Sequence, residues 1–362
     1  MTIVPFSEES YTEQLSQKLD TVNALFQGIA IPKPELFKSP PAGYRMRAEF
    51  KIWHEGSTAA YAMYKKGEYK KPYTVTTFEP GHVLIQDLMP RLLECINQSE
   101  LLRKRLFQVE FLTTLSGEAL ITLIYHKKLD EQWQALATSI AAKLNAHIIG
   151  RSRKQKMIIG SDFVTEKLNV GGRDFVYQQI EGSFTQPNAH ICEKMLTWAT
   201  HKCENFNGDL LELYCGNGNF TLPLSFYFNR VLATEISKVS VNSAKYNMEI
   251  NGINNIDVVR MSSEEFSQAK DGVRPFRRLK DIDLAGYHFS TIFVDPPRAG
   301  LDEHTTTIAT QHDNIIYISC NPATMARDVR AMSRTHKVTN FALFDQFPYT
   351  DHIECGAVLS RI

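Results

Sequence analysis

The stretch Asp209-Leu-Leu-Glu-Leu-Tyr-Cys-Gly-Asn-Gly-Asn-Phe-Thr221 decides the fold of the second half of this 362-residue chain. Its apolar start has the length of a strand, and Gly216 and Gly218 allow a tight turn that brings the backbone close to a ligand. A strand, a Gly-x-Gly turn and a helix form the first part of a doubly wound sheet, which binds its ligand at the carboxyl ends of its strands. An ordinary strand-to-helix turn gives the same short motif, so the neighbouring residues must decide.

A second strand, Arg230-Val-Leu-Ala-Thr-Glu235, follows the turn. Its last residue lies roughly 20 positions beyond the glycines, where nucleoside-binding sheets carry the acid that holds ribose hydroxyls. The third glycine of a dinucleotide fingerprint is absent, because Asn219-Phe-Thr follows Gly218. These residues favour a nucleoside ligand without a pyrophosphate, such as S-adenosylmethionine.

The composition is that of an ordinary globular protein, with 43% hydrophobic and 22% charged residues and a net charge of zero. The chain is long enough for two domains. It shows no signal peptide and no run near the ~18 apolar residues that a membrane span requires, so we expect a cytoplasmic protein without membrane contact. Its six cysteines form no Cys-x-x-Cys pair, which predicts neither a metal site nor an iron–sulfur cluster.

The first half of the chain carries a modest basic surplus. Residues 1–180 contain 23 Lys and Arg against 19 Asp and Glu, whereas residues 181–362 contain 17 against 21. In the strand predicted at 44–52, apolar residues alternate with a largely basic face that includes Arg45 and Arg47. Further basic residues accompany tyrosines or strand ends: Lys65, Lys66, Lys70, Lys71 and the run Arg151-Ser-Arg-Lys-Gln-Lys156. Such a pattern suits an RNA backbone, and a solvated surface gives the same pattern.

The remaining periodicity predicts the order of elements. In the first half we expect helices at 7–26, 81–97 and 130–144, a hairpin at 61–77, and strands at 107–115, 119–126 and 147–150. In the second half we expect helices at 189–201 and 237–251, strands at 256–260, 290–295 and 314–319, and a terminal hairpin formed by 338–344 and 353–359. The charged segment 268–286 is predicted to be a surface excursion, and the sequence assigns it no role.

Three polar residues fall at or near the carboxyl ends of predicted strands: Glu235, Asp295 and Cys320. Pro296 and Pro297 follow Asp295, and their fixed backbone directs the Asp295 and Arg298 side chains towards the ligand crevice. A rigid turn would serve equally well as a purely structural element. A cysteine at such a position is also an ordinary small buried residue.

Five motifs occur in one order along the chain. They are Ser183-Phe-Thr-Gln-Pro-Asn188, Tyr214-Cys-Gly-Asn-Gly-Asn-Phe220, Asp295-Pro-Pro-Arg-Ala-Gly300, Ser319-Cys-Asn-Pro322 and His352-Ile-Glu-Cys355. In combination they resemble the RNA (uracil-5-)-methyltransferase family, most closely its tRNA-specific type, over nearly the whole chain. The ribosomal-RNA branches commonly carry an extra RNA-binding barrel or a four-cysteine cluster, neither of which this sequence shows.

The resemblance implies an α/β fold in which residues 181–362 form a Rossmann-like, S-adenosylmethionine-dependent methyltransferase domain, preceded by an α+β RNA-binding domain at residues 1–180. It implies methylation of C5 of the T-loop uridine of tRNA, conventional position 54, to 5-methyluridine. Cys320 would be the nucleophile and Glu354 the base. The residues implied to contact S-adenosylmethionine are Gln186, Tyr214, Asn219, Glu235 and Asp295. The residues expected to contact the RNA are Arg298, Phe107, Arg45 and Arg47.

The chemistry needs such residues, because C5 of uracil is a weak nucleophile until a thiolate adds to C6. A carboxylate can then remove the C5 proton, although Glu354 could equally be a surface residue of a terminal strand. We expect the T-arm of tRNA as the partner, RNAs with a T-arm-like hairpin as further candidates, and no obligate protein partner. The alternatives are the same reaction on ribosomal RNA, an RNA-folding protein with secondary methyl transfer, and N-methylation of an exocyclic amine, which needs no cysteine.

Overall fold

The computed structural model describes residues 7–65 and 67–362, which form two compact units. The first unit contains Pro40–Lys167, apart from residue 66, and Gln178–Ala189. The second contains Ser7–Ser39, Leu168–Tyr177 and His190–Ile362. Residues 7–39, which the sequence analysis assigned to the N-terminal domain, therefore belong to the second unit.

The helices are α1 (Glu8–Leu25), α2 (Val83–Gln98), α3 (Glu100–Arg103), α4 (Glu131–Leu144), α5 (Ala189–His201), α6 (Thr221–Leu224), α7 (Lys238–Ile250), α8 (Ser263–Lys270), α9 (Glu303–Ala309) and α10 (Pro322–Met332). The strands before α5 are β1 (Glu35–Phe37), β2 (Arg47–Glu55), β3 (Thr58–Lys65), β4 (Glu68–Val75), β5 (Leu106–Thr113), β6 (Ala119–Tyr125), β7 (His147–Ser152), β8 (Gln155–Ile159), β9 (Phe163–Val170) and β10 (Arg173–Ile180). Those after α5 are β11 (Asp209–Leu213), β12 (Val231–Glu235), β13 (Ile256–Arg260), β14 (Phe289–Val294), β15 (Asn314–Ser319), β16 (His336–Phe344) and β17 (Glu354–Arg361). Among the described residues, no helix has the length and apolar character that a membrane crossing requires.

The first unit is built on a seven-stranded sheet in the order β4-β3-β2-β5-β6-β7-β8. In β2 the predicted alternation is present, because Ala48, Phe50 and Ile52 are buried. These side chains share a hydrophobic core with Leu88 of α2 and Trp133 of α4. Both helices therefore cover one face of the sheet. The strands are antiparallel except for β6 and β7, which α4 connects in parallel.

The second unit is built on an eight-stranded sheet in the order β1-β16-β17-β15-β14-β11-β12-β13. The five strands from β13 to β15 are parallel, and the order of the strands reverses between β11 and β14. This arrangement is the doubly wound sheet with a topological switch point. The predicted α/β, Rossmann-like fold is confirmed. The predicted terminal hairpin is also present, as β16 and β17, which run antiparallel to each other.

The chain contains elements that periodicity did not predict. Three-residue β1 lies inside the proline-rich connector, and the basic run 151–156 forms the tight turn between β7 and β8, with Lys154 at φ +59°. Strands β9 and β10 form a two-stranded sheet in a stretch where the sequence pattern predicted no element. Short helices α8, α9 and α10 were also missed. The charged segment 268–286 contains 3-10 turns at 277–279 and 284–286, and Leu279 anchors it by burial.

Helix α1 joins the second unit through its apolar face and through one buried ion pair. Val22 and Phe26 lie in the core of this unit. The ammonium group of Lys18 lies 2.6 Å from a carboxylate oxygen of Asp345, directly after β16, and also donates to the carbonyl of Phe347 at 2.9 Å. Both charged side chains are almost fully buried. The pair therefore links α1 to the loop that leads to β17.

We expect the substitution Lys18→Met to lower the free energy of unfolding by ~3–5 kcal/mol, because it leaves the Asp345 carboxylate buried without its cation. Chemical denaturation at pH 7 measures this loss. The matched control is Gln17→Met on the exposed side of the same helix. If both variants unfolded at the same denaturant concentration, the ion pair would have no stabilising role.

Candidate active site

The carboxyl ends of three neighbouring strands meet at the topological switch point. Leu213 of β11 pairs with Val294 of β14, and Val294 pairs with Tyr317 of β15. The residues that leave the sheet here are Tyr214, Asp295 and, after the last two residues of β15, Cys320. Parallel strands of an open α/β sheet bind their ligands at this edge. The structure thus brings three of the predicted site residues to one crevice.

The loop after β11 has the open backbone that the glycine pattern predicted. Gly216 adopts φ +56°, and no atom lies within 4 Å of where its side chain would begin. Its amide donates to one oxygen of Glu235 at 3.1 Å, while the amide of Ser237 donates to the other at 2.8 Å. The Glu235 carboxylate is therefore held at the end of β12. Tyr214 has the left-handed backbone conformation, φ +66°, which is uncommon for a non-glycine residue.

Asn219 lies on the same loop in a defined environment. Its side-chain amide nitrogen lies 3.4 Å from the sulfur of Cys192 in α5. Its backbone carbonyl accepts a hydrogen bond from the Tyr177 hydroxyl at 3.0 Å. These contacts attach the glycine loop to α5 and β10. The loop is consequently held at Gly216 by Glu235 and at Asn219 by α5 and β10.

Cys320 and Glu354 lie close together where β15 and β17 meet. Ser319, the last residue of β15, lies opposite Cys355 of β17. Cys320 follows Ser319 and Glu354 precedes Cys355, so in this antiparallel pair both lie one position beyond it on the same side. The charge of Glu354 acts on the Cys320 thiol, as expected for neighbours. Cys320 is half-buried, whereas Glu354 is only 8% exposed.

The charged groups around Cys320 shift one another's pKa values. Burial, together with the charges of Glu354 and Asp295, raises the pKa of the Cys320 thiol to about 11, and Arg298 opposes this shift. Burial and the Asp295 charge raise the pKa of Glu354 to about 8. Burial raises the pKa of Asp295 to about 7. A thiol and two carboxyl groups with raised pKa values in one crevice mark a functional site.

A fourth acidic group, Glu212, lies within β11 and was not among the predicted site residues. It is 1% exposed, and burial raises its pKa to about 8, with Thr221 and Asp295 close enough to affect it. One of its carboxyl oxygens has no hydrogen-bond partner among the described residues. The sequence signal for this group was a glutamate between two leucines of a buried strand. The strand was assigned from its apolar residues, and the glutamate received no role.

The comparison with known families agrees with this geometry. A family model described as tRNA (Uracil-5-)-methyltransferase matches residues 10–362. The chain belongs to this family. The resemblance that five sequence motifs predicted is confirmed, and membership confirms a methyltransferase enzyme of the predicted kind.

Individual relatives match nearly the whole chain. It is 59% identical over 353 residues to a tRNA/tmRNA (uracil-C(5))-methyltransferase of Saccharophagus degradans, covering 97% of each chain. A protein of the same description from Neisseria meningitidis serogroup B is 54% identical, with 97% of this chain and 98% of the relative covered. Among solved structures, the Pyrococcus abyssi tRNA (uracil-54, C5)-methyltransferase in complex with S-adenosyl-L-homocysteine has a TM-score of 0.74 at 20% identity, covering 96% of this chain and 83% of that one. This last similarity concerns the fold.

Phe107 and Gln186 belong to the first unit. Phe107 lies at a bulge of β5, and its side chain is 38% exposed. Its ring stacks on the His126 ring, with centroids 4.4 Å apart, and the Lys51 ammonium lies 4.1 Å from the Phe107 centroid. An exposed ring with a cation on it is suited to stacking with a base. Gln186 lies in the irregular segment before α5 and is half-buried. Its role in cofactor binding stays a prediction from its motif.

Arg45 and Arg47 are less available than the sequence suggested. Burial lowers the pKa of Arg45, whose Nε donates to the carbonyl of Arg47 at 3.3 Å. Arg47 donates to the carbonyl of Ser183 and lies within 3.5 Å of Glu49 and Glu110. The expected basic face of β2 therefore carries both signs of charge, because acidic residues of β2 and β5 lie beside the arginine. Their RNA contacts remain predictions.

Other basic residues give a mixed picture. Arg151 and Lys156 both contact the buried carboxylate of Glu181, with a nitrogen–oxygen distance of 2.5 Å for Arg151 Nε and 3.5 Å for Lys156. This part of the basic run is consequently paired within the protein. Lys66 lies outside the described residues. Among residues 7–65 and 67–362 there is no group of three or more His, Cys, Asp or Glu side chains that could hold a metal ion.

Proposed function

We propose that this protein transfers a methyl group from S-adenosylmethionine to C5 of the T-loop uridine of tRNA, conventional position 54, giving 5-methyluridine. The observation that carries the proposal is the closeness of Cys320 and Glu354, one position beyond the Ser319–Cys355 pair, at the carboxyl edge of a Rossmann-like sheet. Methylation of uracil C5 needs a nucleophile and a base beside the same uracil ring, whereas methylation of an exocyclic amine needs no such cysteine. The described function of the bacterial relatives, uracil-C5 methylation of tRNA and tmRNA, supports the same substrate.

The residues at the glycine loop fit a nucleoside methyl donor. Glu235 presents a carboxylate, held by two backbone amides, that suits ribose hydroxyls, and the next residue, Ile236, is 67% exposed and offers an apolar surface. The open space beside Gly216 allows a ligand to approach the backbone. The other residues proposed to contact S-adenosylmethionine in this unit are Tyr214, Asn219 and Asp295. Gln186, which belongs to the first unit, is proposed from its motif. S-adenosylmethionine would supply a methyl group on a positively charged sulfur.

Cys320 would begin the reaction as a thiolate. Its sulfur forms a bond to C6 of uracil, and the electrons of the C5–C6 double bond move towards C4 and its oxygen as an enolate. C5 then has the electron density to form a bond to the methyl carbon as the bond from that carbon to sulfur breaks. Arg298 beside the thiol favours the anionic form of the sulfur. Asp295 and Arg298 are near enough to Cys320 to contact the same base.

Glu354 would complete the reaction. After methyl transfer C5 still carries its hydrogen, and Glu354 accepts that proton. The released electron pair restores the C5–C6 double bond and expels the Cys320 sulfur as a thiolate. Burial suits this role, because a carboxylate whose pKa is about 8 is a stronger base than an ordinary one.

These pKa values lead to a pH dependence. Both Cys320 and Glu354 must lose a proton to act, and their pKa values, about 11 and about 8, lie above neutrality. We therefore expect kcat/KM for methyl transfer to rise by up to about a hundredfold per pH unit below pH 8, where both groups are mostly protonated, and by about tenfold per unit above it. Initial rates at saturating S-adenosylmethionine, with the affinity for this ligand measured at each pH as a control, test it. A flat profile from pH 6 to 9 would show that both groups are already ionised.

The first unit would hold the RNA. A stacked uridine is inaccessible to the thiol, so the base must be turned out of its loop, and an exposed aromatic side chain can fill the gap. Phe107, with Lys51 against its ring, is our candidate for this contact. The first unit contains most of residues 1–180, the predicted RNA-binding domain, and would recognise a folded T-arm largely by shape and phosphate. Other RNAs with such a hairpin are candidates for the same reason.

Product analysis tests this function. Purified protein is incubated with S-adenosylmethionine and either unmodified tRNA, a T-arm minihelix, the minihelix with cytidine at position 54, or ribosomal RNA fragments, and nucleosides are identified by mass spectrometry. We expect 5-methyluridine in the first two and none with the cytidine substrate. Product in ribosomal RNA alone would keep the reaction and overturn the substrate. A methyl group on nitrogen would overturn the reaction itself.

A further inference from the structure

The loop that carries Arg298 is held by the helix that follows Cys320. The carbonyl of Arg298 accepts from the side-chain amide of Asn321 at 2.9 Å. The carbonyls of Ala299 and Leu301 both accept from one terminal nitrogen of Arg327, each at 3.0 Å. Side chains at the start and in the second turn of α10 therefore bind the carbonyls of residues 298, 299 and 301 of this loop.

Asp328 completes the attachment from the buried side of α10. One of its oxygens accepts from the amide of Leu301 at 2.9 Å and from the hydroxyl of Tyr317 at 2.7 Å. Its other oxygen accepts from Arg327 Nε at 2.8 Å. Asp328 is 3% exposed, so its charge is held within the fold. Arg327 and Asp328 thus form one unit that binds residues 299 and 301 of the loop.

The packing at Gly300 shows how closely the loop and α10 fit. A side-chain carbon at this position would lie 2.6 Å from an Asp328 oxygen and 2.8 Å from both Arg327 and Thr324. Gly300 also has φ +76°, which other residues rarely adopt. The backbone can therefore make these contacts only with glycine at this position.

The same helix begins directly after the thiol. Asn321 caps α10, and Pro322 is its first residue, so Cys320 lies next to the positive end of the helix dipole. The charged groups that face the thiol are Glu354 of β17 and Asp295 and Arg298 after β14. Of these, Arg298 alone is positively charged, and it lowers the pKa of the thiol and so favours the thiolate. Its position depends on the backbone of residues 298–301.

We propose that Arg327 and Asp328 are positioning residues for methyl transfer, which hold residues 298–301 so that the Arg298 guanidinium lies beside the Cys320 sulfur. They touch neither the sulfur nor the substrate in this account. The inference rests on the proposed function, because the Cys320 thiolate that Arg298 favours is the nucleophile only in that reaction.

The test measures thiolate formation at Cys320 without RNA or methyl donor. The full-length protein is treated with iodoacetamide at pH 8, and the rate of alkylation of Cys320 is followed by peptide mass spectrometry. Well below the thiol pKa this rate is proportional to the thiolate fraction. We expect Arg298→Gln and Arg327→Gln each to reduce it by about 3–10-fold, which corresponds to a thiol pKa higher by about 0.5–1 unit.

A double variant separates positioning from a general structural effect. If Arg327 acts through Arg298, Arg327→Gln will produce no further loss of alkylation rate in the Arg298→Gln protein. The matched control is Arg330→Gln, an exposed arginine of the same helix, which should leave the rate unchanged. Asp328→Asn is the second variant, and thermal unfolding shows whether each protein remains folded.

Two outcomes would overturn the proposal: an unchanged rate in Arg327→Gln and Asp328→Asn, or a loss that persists in full in the Arg298→Gln background. The first would mean that the loop keeps Arg298 in position unaided. The second would mean that α10 affects the thiol by another route. Because the assay contains no RNA, failure of the proposed function would appear separately, as absence of 5-methyluridine from the wild-type protein.

Discussion

The variant Cys320→Ala should form no detectable 5-methyluridine, with a loss of at least ~10⁴-fold in rate. Without the sulfur no bond forms at C6 of uracil, and C5 lacks the electron density to take the methyl group. Methyl incorporation into unmodified tRNA, measured with radiolabelled S-adenosylmethionine, gives the rate. Cys320 lies outside the glycine loop, so the variant should bind S-adenosylmethionine nearly as tightly as the wild type does.

The matched control is Cys203→Ala, which removes a buried thiol that bonds to the carbonyl of Ala199 at the end of α5. This variant should retain activity, which separates loss of the nucleophile from loss of any thiol. Turnover by the Cys320→Ala protein at a comparable rate would rule out covalent addition by this residue.

The variant Glu354→Gln should accumulate a covalent protein–RNA complex. The amide cannot accept the C5 proton, so addition and methyl transfer can proceed while expulsion of the Cys320 sulfur stalls. We expect turnover to fall by ~10²–10⁴-fold. A slower band on a denaturing gel, with the mass of protein plus methylated RNA, measures the complex.

The double variant Cys320→Ala, Glu354→Gln serves as its control, because the complex cannot form without the sulfur. Appearance of the same band in the double variant would assign the covalent bond to another residue. A Glu354→Gln protein that turned over normally and trapped nothing would show that some other group removes the proton.

The Rossmann-like unit was predictable because its signals are local. A buried parallel strand is a continuous apolar run, and the glycine loop and the carboxylate of Glu235 follow at short spacings. The same reasoning predicted Asp295 and Cys320 at strand ends. The sequence did not establish from its own pattern that Glu354 is buried or faces Cys320, since this depends on the register of β15 against β17. Only the family resemblance indicated it.

Several further features depend on which residues become neighbours in the folded chain. Its position in the sequence put helix α1 in the N-terminal half. In the folded chain Lys18 pairs with Asp345 after β16, and the Phe26 ring contacts Phe341 within β16. Arg47 looked free to bind phosphate, whereas pairing of β2 with β5 sets Glu110 beside it. The contact of Arg327 with Leu301 likewise joins residues that no periodicity connects. Patterns along the chain predict elements, while these contacts depend on tertiary packing.

The measurement that tests the central claim most directly is the release of hydrogen from C5. Unmodified tRNA, transcribed with uridine tritiated at C5, is incubated with the wild-type protein and S-adenosylmethionine, and released tritium is compared with methyl groups incorporated. We expect one tritium released for each methyl group transferred, because the methyl replaces the C5 hydrogen. Methyl incorporation without tritium release would contradict it, since the methyl group would then be on another atom.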